Sequence, residues 1–190
     1  MTMTPNSRPI LFSAPMVRAL LAGRKTQTRR KLKPQHCLAP SMQTPEWAAT
    51  HCPYGGHGDQ LWVREAWRVT KSYDSFDAAK IWIASGGDMA SCIHYEADGA
   101  KPIWAGRYRH ARFMPRWASR ITLEIESVSV ERLHEISLKD AQAEAPPPCD
   151  TKRMFGSYVA CYRELWEEIN GHGSWALNPW VWKISFRRMK

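Results

Sequence analysis

Residues 8–31 read RPILFSAPMVRALLAGRKTQTRRK, and the order of elements in this stretch is the first guide to the fold. Residues 8–12, RPILF, have the content of a short apolar strand. Residues 14–22, APMVRALLA, then place Met16, Val17, Leu20 and Leu21 at helical spacing. Pro15 falls in the first turn and Gly23 just past the end, the asymmetry expected of helix termini. After Gly23 a tight, highly charged turn leads toward a second strand.

Working outward, residues 34–58 are rich in Pro, Gly, His and Gln and are expected to form a long loop or insertion. It ends at Gly58-Asp59, a turn that launches QLWVREAWRV over 60–69, read as one long or two short strands. Residues 71–118 form a second insertion. Within it Ile81-Trp82-Ile83 and Cys92-Ile93-His94-Tyr95 are candidate strands, with Gly86-Gly87 and Asp98-Gly99 as turns. From Arg120 the pattern sharpens. ITLEIESVSVERL alternates Ile121, Leu123 and Ile125, then Val128 and Val130, against polar positions, the period of a half-buried strand. The slip after Ile125 predicts a bulge near Glu126-Ser127. Ser137 is placed to cap a short helix, SLKDAQAEA, closed by Pro146, Pro147 and Pro148. A helix from about Gly156 to Ile169 presents Tyr158, Cys161, Tyr162, Leu165, Trp166 and Ile169 on its apolar side, and Asn170-Gly171 stops it. WVWKISF, 180–186, is a final strand. With no regular βαβ alternation, the order argues for a closed or partly closed mixed barrel with helices outside it.

The chain has 190 residues, the size of one domain. Its hydrophobic fraction of 44% and charged fraction of 24% exclude a disordered class. No apolar run approaches a membrane-spanning length, and MTMTPNSRPI lacks the layout of a signal peptide, so no membrane partner and a cytoplasmic location are expected. Five cysteines without a C-x-x-C spacing read as free thiols in a reducing compartment. His36-Cys37 and His51-Cys52 echo one another, but their spacing fits no zinc module, and no metal is expected.

The net charge of +9 points to a polyanionic partner. Arg24, Lys25, Arg29, Arg30, Lys31 and Lys33 crowd one stretch. Arg107, Arg109, Arg112, Arg116 and Arg120 form a second basic run interleaved with Tyr108, Phe113 and Trp117, a mixture that grips phosphates while stacking bases. Ten tryptophans serve mostly as core, with one or two available as a stacking platform.

Chemistry concentrates in LLAGRKTQTRR, 20–30: a helix end, a glycine turn, then cations and hydroxyls in alternation. Such a segment exposes backbone N–H groups, two cations and two hydroxyls toward a phosphate or a carbonyl oxygen. On composition alone it reads first as a solvated basic turn.

Gly23-x-Lys25-x-x-x-x-Arg30 resembles the G-x-K-x-x-E-x-R signature of the ASCH superfamily, with Thr28 in the glutamate position. LAGRKTQTRR is also similar to the matching segment of the small bacterial N4-acetylcytidine amidohydrolases, which carry Thr there. The resemblance implies an α+β fold, a PUA-like mixed β-barrel with peripheral helices, over a single domain 1–190 with insertions at about 34–58 and 71–118. It implies a metal-independent, cofactor-free amidohydrolase acting on N4-acylated cytidine or a related modified nucleoside. By motif position the catalytic group is Lys25 and Thr28, with Glu144 from DAQAEA in the matching later helix. Thr28 would attack the amide carbonyl, Lys25 would take the hydroxyl proton, and Glu144 would pass a proton to the leaving amine. Backbone N–H groups of the 23–28 turn would hold the oxyanion. Arg24, Arg30, Glu65, Trp67, Arg116 and Trp117 are the expected substrate- or RNA-binding residues. GDQLWVREAW and MPRWASRI are also similar to pieces of longer, often phage-encoded, ASCH proteins. Two alternatives stand beside the enzyme: an RNA-binding PUA-like module without catalysis, and an ASCH-type ribonuclease using Lys25, Thr28 and Arg112 or Arg116.

Overall fold

A computed structural model of the chain describes residues 5–33, 44–87, 92–145 and 158–189. It is a mixed α+β structure. Five strands, β1 (Ser7–Leu11), β2 (Gln27–Lys31), β3 (Gln60–Arg64), β6 (Thr122–Arg132) and β7 (Trp180–Arg188), form one sheet in the order β1-β3-β6-β7-β2. Only β1 and β3 run parallel; β3-β6, β6-β7 and β7-β2 are antiparallel. Among the described residues β1 and β2 stand at the two ends of this sheet with no ladder joining them. β4 (Trp67–Val69) and β5 (Ile93–Tyr95) pair separately.

The local reasons follow the residues. In α1 (Ala14–Leu21) Met16, Val17, Ala19 and Leu20 are buried, and Gly23 takes φ +69°, a left-handed turn that a side chain would strain. In β6, Leu123, Ile125 and Val128 face the core, and the register against β7 slips between Ile125 and Ser127, where the alternation slips in sequence. Ser137 Oγ accepts from Asp140 N (3.1 Å) at the start of α4 (Leu138–Glu144). The Pro run expected to close that helix lies outside the described residues. In α5 (Tyr158–Asn170), Cys161, Tyr162, Leu165 and Trp166 are buried, and Gly171 N closes its end on Glu167 O.

Three expectations are corrected. The insertion at 34–58 is not loop throughout: α2 (Pro45–His51) forms inside it, capped by Thr44, with Trp47 stacked on Trp182 of β7 at 5.4 Å. Ile81-Trp82-Ile83 is helical, inside α3 (Ala78–Ala84). Asp77 caps that helix and Ile81 alone is buried, so local capping overrides the β preference of isoleucine. Cys161 is disulfide-bonded, which corrects the reading of all five cysteines as free thiols.

The main core lies between the five-stranded sheet and α1, α2 and α5. A second, smaller core gathers Trp67 and Val69 of β4 with Ile81, Met114 and Ala118 from the region read as the second insertion. Each fully buried aliphatic side chain contributes roughly 1.5–3 kcal/mol. No described helix is long and apolar enough to cross a membrane.

Candidate active site

The turn after α1 docks onto the C-terminal end of α4, over a hundred residues away in sequence. Thr26 N donates to Ala143 O (3.0 Å), and the Lys25 ammonium donates to Glu144 O (2.8 Å) and Gln27 O (2.8 Å). A lysine at a helix C-terminus satisfies carbonyls left without partners and opposes the negative end of the helix dipole. Its third bond goes to Glu144 Oε2 at 2.9 Å. Both side chains are buried, Lys25 completely. Burial presses the Lys25 pKa below its ordinary value, and the repulsion of Arg29 and Arg30 adds to that, against the stabilising pull of Glu144.

Glu144 is held from its other side as well. Arg29, on β2 and with a fully buried side chain, places Nη1 3.3 Å from Glu144 Oε1 and 2.8 Å from Gln27 Oε1. Its Nε donates to Glu131 Oε1 (2.7 Å). Its Nη2 lies 2.6 Å from the same oxygen and 3.1 Å from Asp140 Oδ2, at ion-pair distance but outside hydrogen-bond geometry. Lys183 of β7 completes the network on Glu131 and Asp140. The result is a lattice of three cations and three carboxylates, buried at Lys25, Arg29 and Glu144 and partly buried at Glu131, Asp140 and Lys183, with Glu144 fixed between Lys25 and Arg29.

Glu144 opens onto a cleft of about 80 Å³ whose wall includes Thr28, Arg29, Arg30, Tyr162 and Trp166. Thr28, paired with Ile184 in the β2-β7 ladder, is 1% exposed. Burial and the Glu144 charge push the Tyr162 hydroxyl well above its ordinary pKa, so it stays a neutral donor at physiological pH. Trp166 Nε1 is buried without a hydrogen-bond partner among the described residues. The 80 Å³ cleft shares Met16, Arg30 and Ile169 with a larger one of about 390 Å³, lined also by Phe12, Tyr108 and His110. Arg30 thus stands at the junction, over the Phe12 ring at 5.1 Å and donating to Leu11 O (2.7 Å).

No family model matches the chain, and no curated protein matches it. Among solved structures it is similar to protein EF3133 from Enterococcus faecalis V583, described as DUF984, with a TM-score of 0.42 and 10% identity over 100% of this chain and 82% of that one. A likeness this distant carries no argument about function, so the site is read from its own geometry.

The sequence-predicted residues divide. Lys25 and Glu144 meet directly, and Thr28 and Arg30 line the cleft with Glu144. Arg24 is exposed and lines neither of these two clefts. Glu65 is buried in a different network, taking Arg120 on both oxygens (2.9 and 3.1 Å) while Arg120 also binds Asp98. Trp67 anchors the smaller core and meets Trp117 edge-on at 5.9 Å, and Arg116 lies over Trp62 at 5.8 Å. The 23–28 turn does not offer its early N–H groups to an oxyanion. Those of Gly23, Arg24, Lys25 and Thr26 are already bonded to Leu20 O, Ala19 O, Ala19 O and Ala143 O. Arg29, Glu131, Asp140 and Lys183 were missed. Arg29 counted only as part of a basic run, and nothing in the sequence separates it from its basic neighbours.

Proposed function

We propose that the chain is an ASCH-type amidohydrolase, its five-stranded sheet the curved wall of a PUA-like barrel, which removes the acyl group from N4-acylated cytidine or a related modified nucleoside. The observation that carries this reading is the Lys25–Glu144 pair beside Thr28, in a cleft whose small size suits an acyl group. Its 80 Å³ has room for little more than two or three waters' worth of substituent, whereas the adjoining 390 Å³ cleft has the size of a nucleoside site. An acylated nucleoside has that same unequal shape. Phe12 and Tyr108 supply aromatic faces on the larger side.

In this reading the Thr28 hydroxyl attacks the amide carbonyl and its proton passes to the Lys25–Glu144 pair. The C–N bond breaks, the exocyclic amine leaves with that proton, and acyl-Thr28 is released by water as the free acid. Lys25 does not line the cleft, so Glu144 faces the substrate and Lys25 holds it from behind. Arg30, with donors beyond the one given to Leu11, is the cation nearest the junction of the two clefts and suits the carbonyl oxygen. The chemistry asks for no metal or organic cofactor. The test is release of cytidine from N4-acetylcytidine, followed by chromatography. Wild-type turnover that Lys25→Ala, Thr28→Ala and Glu144→Ala each abolish in folded protein supports it, and no turnover by wild type defeats it.

A further inference from the structure

The two clefts of the proposed site continue into a third. The 390 Å³ cleft shares Tyr108 and His110 with one of about 600 Å³, formed by residues 107–110 and Phe113 together with Trp67 and the start of α3. A free nucleoside is accommodated by the first two clefts and has no use for this one. We propose that the third cleft is a subsite for the nucleotide next to the reacting one. The substrate class, on the amidohydrolase reading above, is then a single-stranded nucleic acid carrying the acylated base.

The cleft's chemistry fits a stacked base and its phosphate. Phe113 is 67% exposed and Tyr108 52%, two large aromatic faces turned to solvent in one short segment. Arg112 lies over the Phe113 ring at 5.4 Å, the pairing of cation and ring that single-strand sites use. The Arg107 side chain is exposed and makes no hydrogen bond or ion pair among the described residues, so its charge is available to a phosphate. Arg109 is committed elsewhere. Its Nη2 donates to the carbonyl oxygens of Tyr73, Asp74 and Phe76, and its guanidinium lies over Trp67, which fixes the floor of the cleft. The opposing carboxylate, Asp77, accepts from Lys80 N (2.9 Å) and sits 4.0 Å from Lys80 Nζ, which blunts its repulsion of an anion. At 600 Å³ the space is that of a nucleotide-sized ligand.

The experiment compares kcat/KM for free N4-acetylcytidine with that for ribo- and deoxyribo-pentanucleotides carrying the same base at the centre. Wild type is set beside Arg107→Ala, Phe113→Ala and the double variant, all changes at exposed positions. The expected result is a pentanucleotide preferred over the nucleoside by at least about tenfold. The double variant removes most of that preference and leaves nucleoside turnover unchanged. Which pentanucleotide is preferred names the sugar. Equal kcat/KM on all three substrates, or variants that reduce all three alike, overturns the subsite. If wild type turns over none of them, the amidohydrolase reading fails by itself and the subsite is judged by fluorescence anisotropy with an unmodified labelled pentanucleotide. Salt-dependent binding weakened about tenfold by the double variant then upholds it, and absent or variant-insensitive binding overturns it.

Discussion

Lys25 Nζ lies 2.8 Å from the carbonyl oxygen and 2.9 Å from the carboxylate of Glu144, so one side chain both caps α4 and pairs with its last residue. The two are 119 positions apart. The arrangement ties the start of β2 to the end of α4, and the placement of Thr28 beside Glu144 depends on it. Site geometry and fold stability are therefore coupled through the buried ion pairs that Lys25 and Arg29 make with Glu144.

Removing one partner of the Lys25–Glu144 pair is expected to cost far more than removing both. Lys25→Met leaves Glu144 buried with only Arg29 opposing it, and Glu144→Leu leaves Lys25 with two carbonyls and no counter-charge. Each should destabilise the protein by about 3–5 kcal/mol. The double change Lys25→Met with Glu144→Leu should recover much of that loss, because an apolar pair of similar volume needs no desolvated charge. Urea unfolding of the four proteins measures it. Additive losses would show that the two residues act independently.

Thr28 separates chemistry from packing. It is 1% exposed, and its hydroxyl occupies about the volume of a methyl group. Thr28→Val should keep the free energy of unfolding within about 1–2 kcal/mol of wild type while abolishing turnover. Thr28→Ser should retain measurable turnover because the hydroxyl survives. Turnover by Thr28→Val at more than a trace of the wild-type rate would remove Thr28 from the role of nucleophile.

Much of this was legible in the sequence where local signals agree. Pro15 and Gly23 bracket α1, Ser137 starts α4, and the broken alternation around Glu126 locates the β6 bulge to within a residue. Ile81-Trp82-Ile83 misleads because three β-favouring residues sit one turn after an Asp77 cap, and only the small core beneath decides between strand and helix. In the site, Lys25 and Glu144 are picked out in the sequence only through the family resemblance. The Arg29–Glu131–Asp140–Lys183 network has no sequence pattern, because its members come from β2, β6, α4 and β7 and meet only when the sheet forms. Conversely Glu65 looks like a site residue beside a basic run, yet Arg120 claims it, while Trp67 packs in the smaller core and also lines the 600 Å³ cleft.

The Glu65–Arg120 pair gives a prediction of opposite sign for function. Glu65 is 1% exposed, and burial raises its carboxyl pKa despite two hydrogen bonds from Arg120. Arg120→Met would strand that carboxylate, and a loss of about 3 kcal/mol is expected, at the low end for a buried pair because Arg120 is partly exposed. KM for the nucleoside should not move, since neither residue lines the 80 Å³ or the 390 Å³ cleft. A KM shift of more than about threefold in folded Arg120→Met protein would return Glu65 to the binding site.

Asp140 sets an acid limit on the whole network. Burial alone would raise its carboxyl, but the hydrogen bond from Lys183 and the charge of Arg29 outweigh that and hold it near 2, against an ordinary value of 3.8. A depressed folded-state pKa means the unfolded chain binds the proton first. The stabilisation is therefore complete above about pH 4 and is lost as pH falls toward 2. Asp140→Asn removes the titrating group, so wild type should be more stable than this variant at pH 7 and the two should converge between pH 4 and 2. Denaturant unfolding at a series of pH values measures the gap. A constant difference across that interval would mean that Asp140 is not held ionised by Lys183 and Arg29, and the ion network would lose one of its three carboxylates.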